Sequence, residues 1–197
     1  MAVTKTRPVL DVLDVVDAGL ADLGENRADE LVARAGDPAL RDNTAIVWHM
    51  IGQCQTNKVK LLAPIVTLWQ SVDRVSLVDE LARRVRGARC LVQVDLSGHP
   101  GRGGCPPEAI DALVERARAA GLAVDGIMAV ATPGTDPRPE FDRVCALADH
   151  LDLRERSIGM SADFEYAIEH GSTMVRIGSA LFEPSADQLP TSRSEPG

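Results

Sequence analysis

Residues 1–16 read MAVTKTRPVLDVLDVV, and the position of the lysine in this stretch decides how the rest of the chain is read. Ala2 and Val3 form a strand stub. Pro8 opens a helix, because a proline in the first helical turn removes an N–H that has no partner there anyway. Val9, Leu13, Val16 and Leu20 then recur at helical spacing. Lys5 therefore lies at the carboxyl end of a strand that runs straight into a helix, which is where α/β barrels place their chemistry.

The same alternation recurs along the chain. Strand-like runs fall at residues 22–26, 45–51, 65–72, 90–96, 126–131, 157–161 and 174–178, each followed by a helical pattern. In the helix after the fourth strand Val75, Val78, Leu81 and Val85 share a face, and after the fifth Ile110, Leu113 and Ala117 do so. Eight strand–helix alternations predict an α/β protein with a parallel sheet, and eight parallel strands close most simply into a (β/α)8 TIM barrel. One barrel domain is expected over residues 1–182. The remaining stretch, 183–197, reads EPSADQLPTSRSEPG; it has too little apolar surface to offset its ordering entropy and is expected to be a mobile tail.

Composition removes several function classes. A net charge of −8 opposes a partnership with phosphate backbones, and 3% aromatic residues leave little to stack on bases, so no nucleic-acid partner is expected. Cys54, Cys90, Cys105 and Cys145 lack the spacing of a zinc or thioredoxin site and read as reduced thiols. No run approaches the roughly 20 apolar residues of a membrane helix, so a cytoplasmic protein with no membrane partner is expected. The loop SGHPGRGGCPP, residues 97–107, fits neither glycine-rich nucleotide fingerprint.

Polar groups at the carboxyl ends of the strands are Lys5, Glu25, Asn26, His49, Ser71, Asp73, Asp95, Ser161 and Arg176. Arg176 is the most informative, because it interrupts an apolar strand in which Met174, Arg176 and Gly178 share a face. A charge there requires an acceptor, either a carboxylate in a structural ion pair or a ligand atom. The loops after strands seven and eight are a frequent phosphate site in such barrels. Here they offer Ser161 and the turn Gly178-Ser179, which read equally as a helix-capping serine and an ordinary turn. An amine, an arginine and a phosphate nest on one rim suit a phosphorylated aldehyde held as a Schiff base, with pyridoxal 5'-phosphate (PLP) as the candidate.

The motifs AVTKTRP, LGENR, WHMIGQCQTNK, SVD, GIMAVA, SIGMSADFEYAI and GSTMVRIGSALF occur in this order up to Phe182. In this they resemble the YggS/PROSC family of pyridoxal phosphate homeostasis proteins. The resemblance implies the barrel of the alanine racemase N-terminal domain, the PLP-binding fold type III. It implies that Lys5 forms the Schiff base, that Arg176 faces the pyridine nitrogen, and that Ser161 with the backbone of Gly178 and Ser179 holds the phosphate. Asn26 and His49 are implied to line the ring, while Gly171–Thr173 is assigned to structure.

A permanent cation at the ring nitrogen disfavours its protonation and weakens the ring as an electron sink. Alanine racemases of similar fold use a tyrosine from a second domain, whereas this chain has only Tyr166, in the seventh helix. The expectation is a monomeric PLP carrier that limits the free aldehyde and passes it to apoenzymes. A weak PLP-dependent amino-acid racemase or transaminase-like enzyme is the alternative, and a scaffold without ligand the third.

The family normally has a helix and the first half of strand one ahead of the lysine motif, while this chain starts three residues before Thr4-Lys5. A natural start further upstream is expected, together with unpaired backbone groups beside the stub, each costing about 1–3 kcal/mol if buried. Cys54 replaces an aliphatic residue with little expected loss. Arg102 replaces the commoner lysine of its loop and is expected to be solvated, with contact to an incoming anion as the alternative. Glu183-Pro184 stands where a glycine is usual.

Overall fold

The computed structural model describes residues 1–99 and 101–182. Eight strands, β1 (Ala2–Val3), β2 (Asp22–Glu25), β3 (Val47–Met50), β4 (Leu68–Val72), β5 (Arg89–Gln93), β6 (Ala123–Met128), β7 (Glu155–Met160) and β8 (Met174–Arg176), pair in parallel in sequence order. The bridge between Ala2 and Ile177 closes the ring. Between and after the strands run helices α1 (Val9–Asp17), α2 (Ala28–Ala35), α3 (Val59–Leu62), α4 (Val75–Arg84), α5 (Ile110–Ala119), α6 (Arg138–His150), α7 (Phe164–Glu169) and α8 (Ser179–Phe182). This is the predicted α/β barrel. The tail expected over residues 183–197 lies outside the described residues.

The outer faces of the strands carry the main core. Leu23, Trp48, Trp69, Val92, Ile127 and Ile158 pack there against the apolar stripes of the helices. The stripe of α1 is centred on Val12 and Val15, with Val9, Leu13 and Val16 only partly buried beside it and Leu20 exposed. On α4 the buried residues are Leu77, Val78 and Leu81, while Val75 is exposed.

Inside the ring the packing differs. A small apolar cluster of Leu68, Leu91 and Met128 is flanked by Val130 and Met174, and the polar residues His49, Gln70, Ser157 and Arg176 are buried with them.

The seam at the chain start is closed by backbone hydrogen bonds. The Met1 ammonium donates to the Val175 carbonyl at 3.1 Å. Ile177 N–H donates to the Met1 carbonyl at 3.1 Å, Val3 N–H to the Ile177 carbonyl at 2.8 Å, and Thr4 N–H to the Gly24 carbonyl at 3.1 Å. The orphan groups expected beside the stub are therefore paired at these positions, because Met1 to Thr4 bond to both neighbouring strands.

Three cysteines sit in the core, and burial pushes their thiols up, Cys54 and Cys105 to about 11 and Cys90 to about 12. All four are free thiols. No helix among the described residues is long and apolar enough to cross a membrane.

Candidate functional site

At the carboxyl ends of the strands lies a cavity of about 520 Å³. It brings together six of the residues that the sequence singles out: Lys5, Asn26, Ser161, Arg176, Gly178 and Ser179. Val3, Ile51, Val130 and Met160 supply apolar walls, and Thr6 and Arg7 complete the side next to Lys5.

Lys5 sits in a turn closed by Arg7 N–H donating to the Thr4 carbonyl at 3.1 Å. Thr6 in that turn has φ +61°, a left-handed conformation that a β-branched residue rarely adopts. Such strain costs on the order of 1–3 kcal/mol and persists only where surroundings enforce it. The Thr6 hydroxyl donates to the Lys5 carbonyl at 2.6 Å. Behind the turn, on the helix side of the barrel, the Thr4 hydroxyl donates to Glu25 Oε1 at 2.6 Å. Arg34 Nε lies 2.7 Å from the same oxygen as an ion pair, without the alignment of a hydrogen bond. Burial pushes the Glu25 carboxyl up, and the Thr4 hydroxyl and the Arg34 guanidinium draw it back only in part.

Arg176 is 4% exposed. Its Nη1 donates to the Ser157 carbonyl at 2.6 Å and to the Ser157 hydroxyl at 2.8 Å, and its Nη2 donates to the Ala129 carbonyl at 2.8 Å. Backbone oxygens and a hydroxyl thus satisfy it in place of the carboxylate of the ion-pair reading. Burial lowers its pKa to about 10, against a small opposing pull from Asp163. It remains a cation at neutral pH and faces the cavity with its charge uncompensated by any ion pair among the described residues.

The loops after β7 and β8 meet at Ser161, whose Oγ accepts from Gly178 N–H at 3.2 Å and Ala180 N–H at 3.4 Å. Ser161 is not the N-cap of the helix that follows it, a place taken by Asp163; its oxygen instead gathers the N–H groups at the start of α8 across the two loops, at the cavity edge. Gly178 is not forced by the protein's own packing, since a Cβ there would make only ordinary contact with Val3, 3.7 Å from its Cβ. Gly52 is forced, because a Cβ would collide with the carbonyl of Asn26. That close approach seats Asn26 against the β3–α3 loop.

His49 is the exception among the expected residues. It points into the barrel but lies level with Gly24 in the β2–β3 register, below Asn26. Ile51, the next inward residue, lines the cavity in its place. Both His49 ring nitrogens are engaged, Nε2 with Asp22 Oδ1 at 3.0 Å and Nδ1 with Gln70 Nε2 at 2.8 Å. Because the Gln70 amide nitrogen can only donate, Nδ1 accepts and Nε2–H donates to Asp22. The Gln70 carbonyl accepts from the Ser157 hydroxyl at 2.7 Å, so a continuous chain links His49 to Arg176.

Burial lowers the His49 pKa below its ordinary value, and Asp22 restores only part of the difference. The folded state therefore binds fewer protons at His49 than the unfolded chain does. Its contribution to stability is complete above about pH 6.5 and is lost as pH falls through the depressed folded value. Urea unfolding between pH 7.5 and 5 is expected to show stability falling by at most about 1.4 kcal/mol per pH unit from this residue. His49→Gln flattens that dependence; an unchanged slope would contradict it.

Arg102, expected to be solvated, instead donates to the carbonyls of Val130 and Ala131, at 3.1 Å each. It ties the loop after β5 to the end of β6. No sequence pattern marked Arg34, Gln70 or Ser157 as site-supporting, because each acts through a partner distant in sequence, nor Thr6, whose role lies in its backbone conformation.

The model of the alanine racemase N-terminal domain matches residues 1–185, so fold and rim together define an alanine racemase-type barrel. The pyridoxal phosphate homeostasis protein of Bos taurus is 36% identical over 205 residues, covering 92% of this chain and 75% of the relative. That of Mycobacterium leprae is 34% identical over 217 residues, covering 96% and 84%. The chain belongs to the family of pyridoxal phosphate homeostasis proteins. Among solved structures it is similar to PipY of Synechococcus elongatus with PLP bound, at a TM-score of 0.85 and 28% identity over 92% of this chain and 91% of that one. An alanine racemase of Clostridium difficile, 16% identical with a TM-score of 0.72 over 96% of this chain and 53% of that one, shares the fold.

Proposed function

We propose that this cavity binds PLP, with Lys5 as its covalent anchor, and that the protein is a carrier in PLP homeostasis rather than an enzyme. The observation that carries the reading is the convergence of an amine, a buried guanidinium free of any carboxylate among the described residues, and a cluster of N–H donors around one cavity. The names of the relatives and the PLP-bound PipY structure support it. The bound cofactor supplies an aldehyde that condenses reversibly with an amine.

Each residue has a distinct task. Lys5 presents its amine from a rigid turn. Ser161 and the N–H groups of Gly178 and Ser179 seat the phosphate, where hydrogen bonds to an anion are strong. Asn26 would line the ring, and Arg176 would present a permanent cation to the ring nitrogen, disfavouring its protonation. His49 acts from below, through Gln70 and Ser157, on the orientation of Arg176.

The non-enzymatic reading is supported by that cation and by the place of Tyr166. Tyr166 is 45% exposed on α7, with the Arg138 guanidinium 5.4 Å from its ring centroid, and does not line the cavity. We place the protein in the cytoplasm as a monomer that exchanges PLP with apoenzymes.

Two measurements test this. Ser161→Ala is expected to weaken PLP binding in equilibrium dialysis by roughly ten- to a hundredfold, the loss of a hydrogen bond to a charged group, with the imine absorption band retained at saturation. Incubation with L-alanine followed by chiral chromatography is expected to show no turnover. Rapid racemisation would make the protein an enzyme.

A further inference from the structure

Lys5 and Thr6 are exposed, so their own side chains do not fix the turn by burial, while Arg7 at its end stacks with its guanidinium 4.9 Å from the Phe182 ring centroid. Among the described residues one side chain bridges its two end carbonyls: Arg34 Nη2 donates to the Thr4 carbonyl at 3.1 Å and to the Arg7 carbonyl at 3.0 Å. Arg34 is in turn held by Glu25, which is fully buried and joined to Thr4 through the same Oε1. The other oxygen, Oε2, is buried without a hydrogen-bond partner among the described residues. An apolar pair would serve stability as well or better than a buried ion pair with an orphan oxygen. The Glu25 carbonyl accepts from Ile51 N–H at 3.0 Å, so its backbone braces from behind the strand end that carries Ile51.

We propose that the buried Glu25–Arg34 pair is the clamp that holds the left-handed Lys5 turn and aims the lysine amine at the anion seat, making Glu25 and Arg34 positioning residues for covalent capture. The inference rests on the reading of Lys5 as the anchor. Neither residue lines the cavity. Their loss therefore affects formation of the imine and spares non-covalent seating of the same ring and phosphate.

Two probes separate these events: PLP, which has the aldehyde, and pyridoxine 5'-phosphate, which has an alcohol in its place and forms no imine. Arg34→Lys keeps a cation for Glu25 but cannot bridge both carbonyls. It is expected to bind pyridoxine 5'-phosphate within about twofold of the parent while imine formation with PLP, followed by absorbance, falls roughly tenfold, a loss of the size that small misplacements of a reacting group cause. Adding Thr6→Gly, which accepts the left-handed conformation without strain, is expected to restore much of the loss, so that the two changes are not additive. If Arg34→Lys fails to fold, Glu25→Gln, which keeps the Thr4 bond and the volume, is expected to show the same split between probes. Equal losses for both probes, no loss for either, or strict additivity with Thr6→Gly would overturn the clamp. Absence of imine in the parent would overturn the reading of Lys5, and the clamp with it.

Discussion

Lys5→Ala is expected to abolish the imine absorption band of the protein with PLP, and to weaken binding on the order of a hundredfold, about 2.7 kcal/mol. The reason is covalent. In the proposed site Ser161, Gly178, Ser179 and Arg176 would hold the anion and the ring through hydrogen bonds that survive the substitution, whereas the bond to the aldehyde carbon requires an amine at this position. Lys5 is exposed and its backbone turn is held by Arg34 through carbonyls, so thermal unfolding without ligand should be unchanged. The informative result is the pair: a stable barrel that still binds weakly and shows no imine. A variant that kept the band would place the anchor on another lysine, Lys58 or Lys60.

Arg176→Met is expected to act in the opposite pattern, because this residue is deep in the barrel and is charged against the cost of burial. Methionine fills a similar apolar volume and removes the desolvation cost. It also withdraws the donors from the Ser157 and Ala129 carbonyls, but the Ser157 carbonyl keeps a bond from Ala129 N–H at 3.2 Å. The desolvation cost removed with the buried charge opposes the cost of leaving the Ala129 carbonyl without that donor, about 1–3 kcal/mol, so unliganded stability is expected to change by less than about 2 kcal/mol. PLP affinity, in contrast, loses a hydrogen bond from a charged donor, about 1.5–3 kcal/mol, or roughly ten- to a hundredfold. The absorbance of the remaining complex should become pH-sensitive near neutrality, since the ring nitrogen is then free to take a proton. A variant with parental affinity and a pH-independent spectrum would assign Arg176 to structure alone.

Much of the fold was legible because barrel strands and helices alternate in the same order along the chain as in space. Hydrophobic runs separated by amphipathic stretches therefore report the topology directly. Helix faces were less legible. The spacing of Val9, Leu13 and Val16 is helical, but Val12 and Val15, one residue away on the same turn, make the deeper contact. Periodicity fixes the repeat and leaves the phase to the neighbours.

The site shows the same division. Strand alternation put Arg176 on the face it shares with Met174 and Gly178, and the resemblance put His49 against the ring, but depth depends on register between strands, and the pairing of His49 with Gly24 lowers it beneath the cavity. Arg176 demanded acceptors, and the sequence offered carboxylates and ligands. The carbonyls of Ser157 and Ala129 could not be seen, because a backbone acceptor has no sequence signature. The Glu25–Arg34 pair was hidden for a related reason. Glu25 was one of several rim carboxylates, Arg34 one of several helix cations, and only the fold shows that they meet behind Lys5.

Borohydride reduction of the protein with PLP, followed by proteolysis and mass mapping, tests the account at its centre. A single reduced phosphopyridoxyl adduct on the peptide containing Lys5 is the predicted result. An adduct on a different lysine, or none, would contradict the covalent capture on which the functional reading rests.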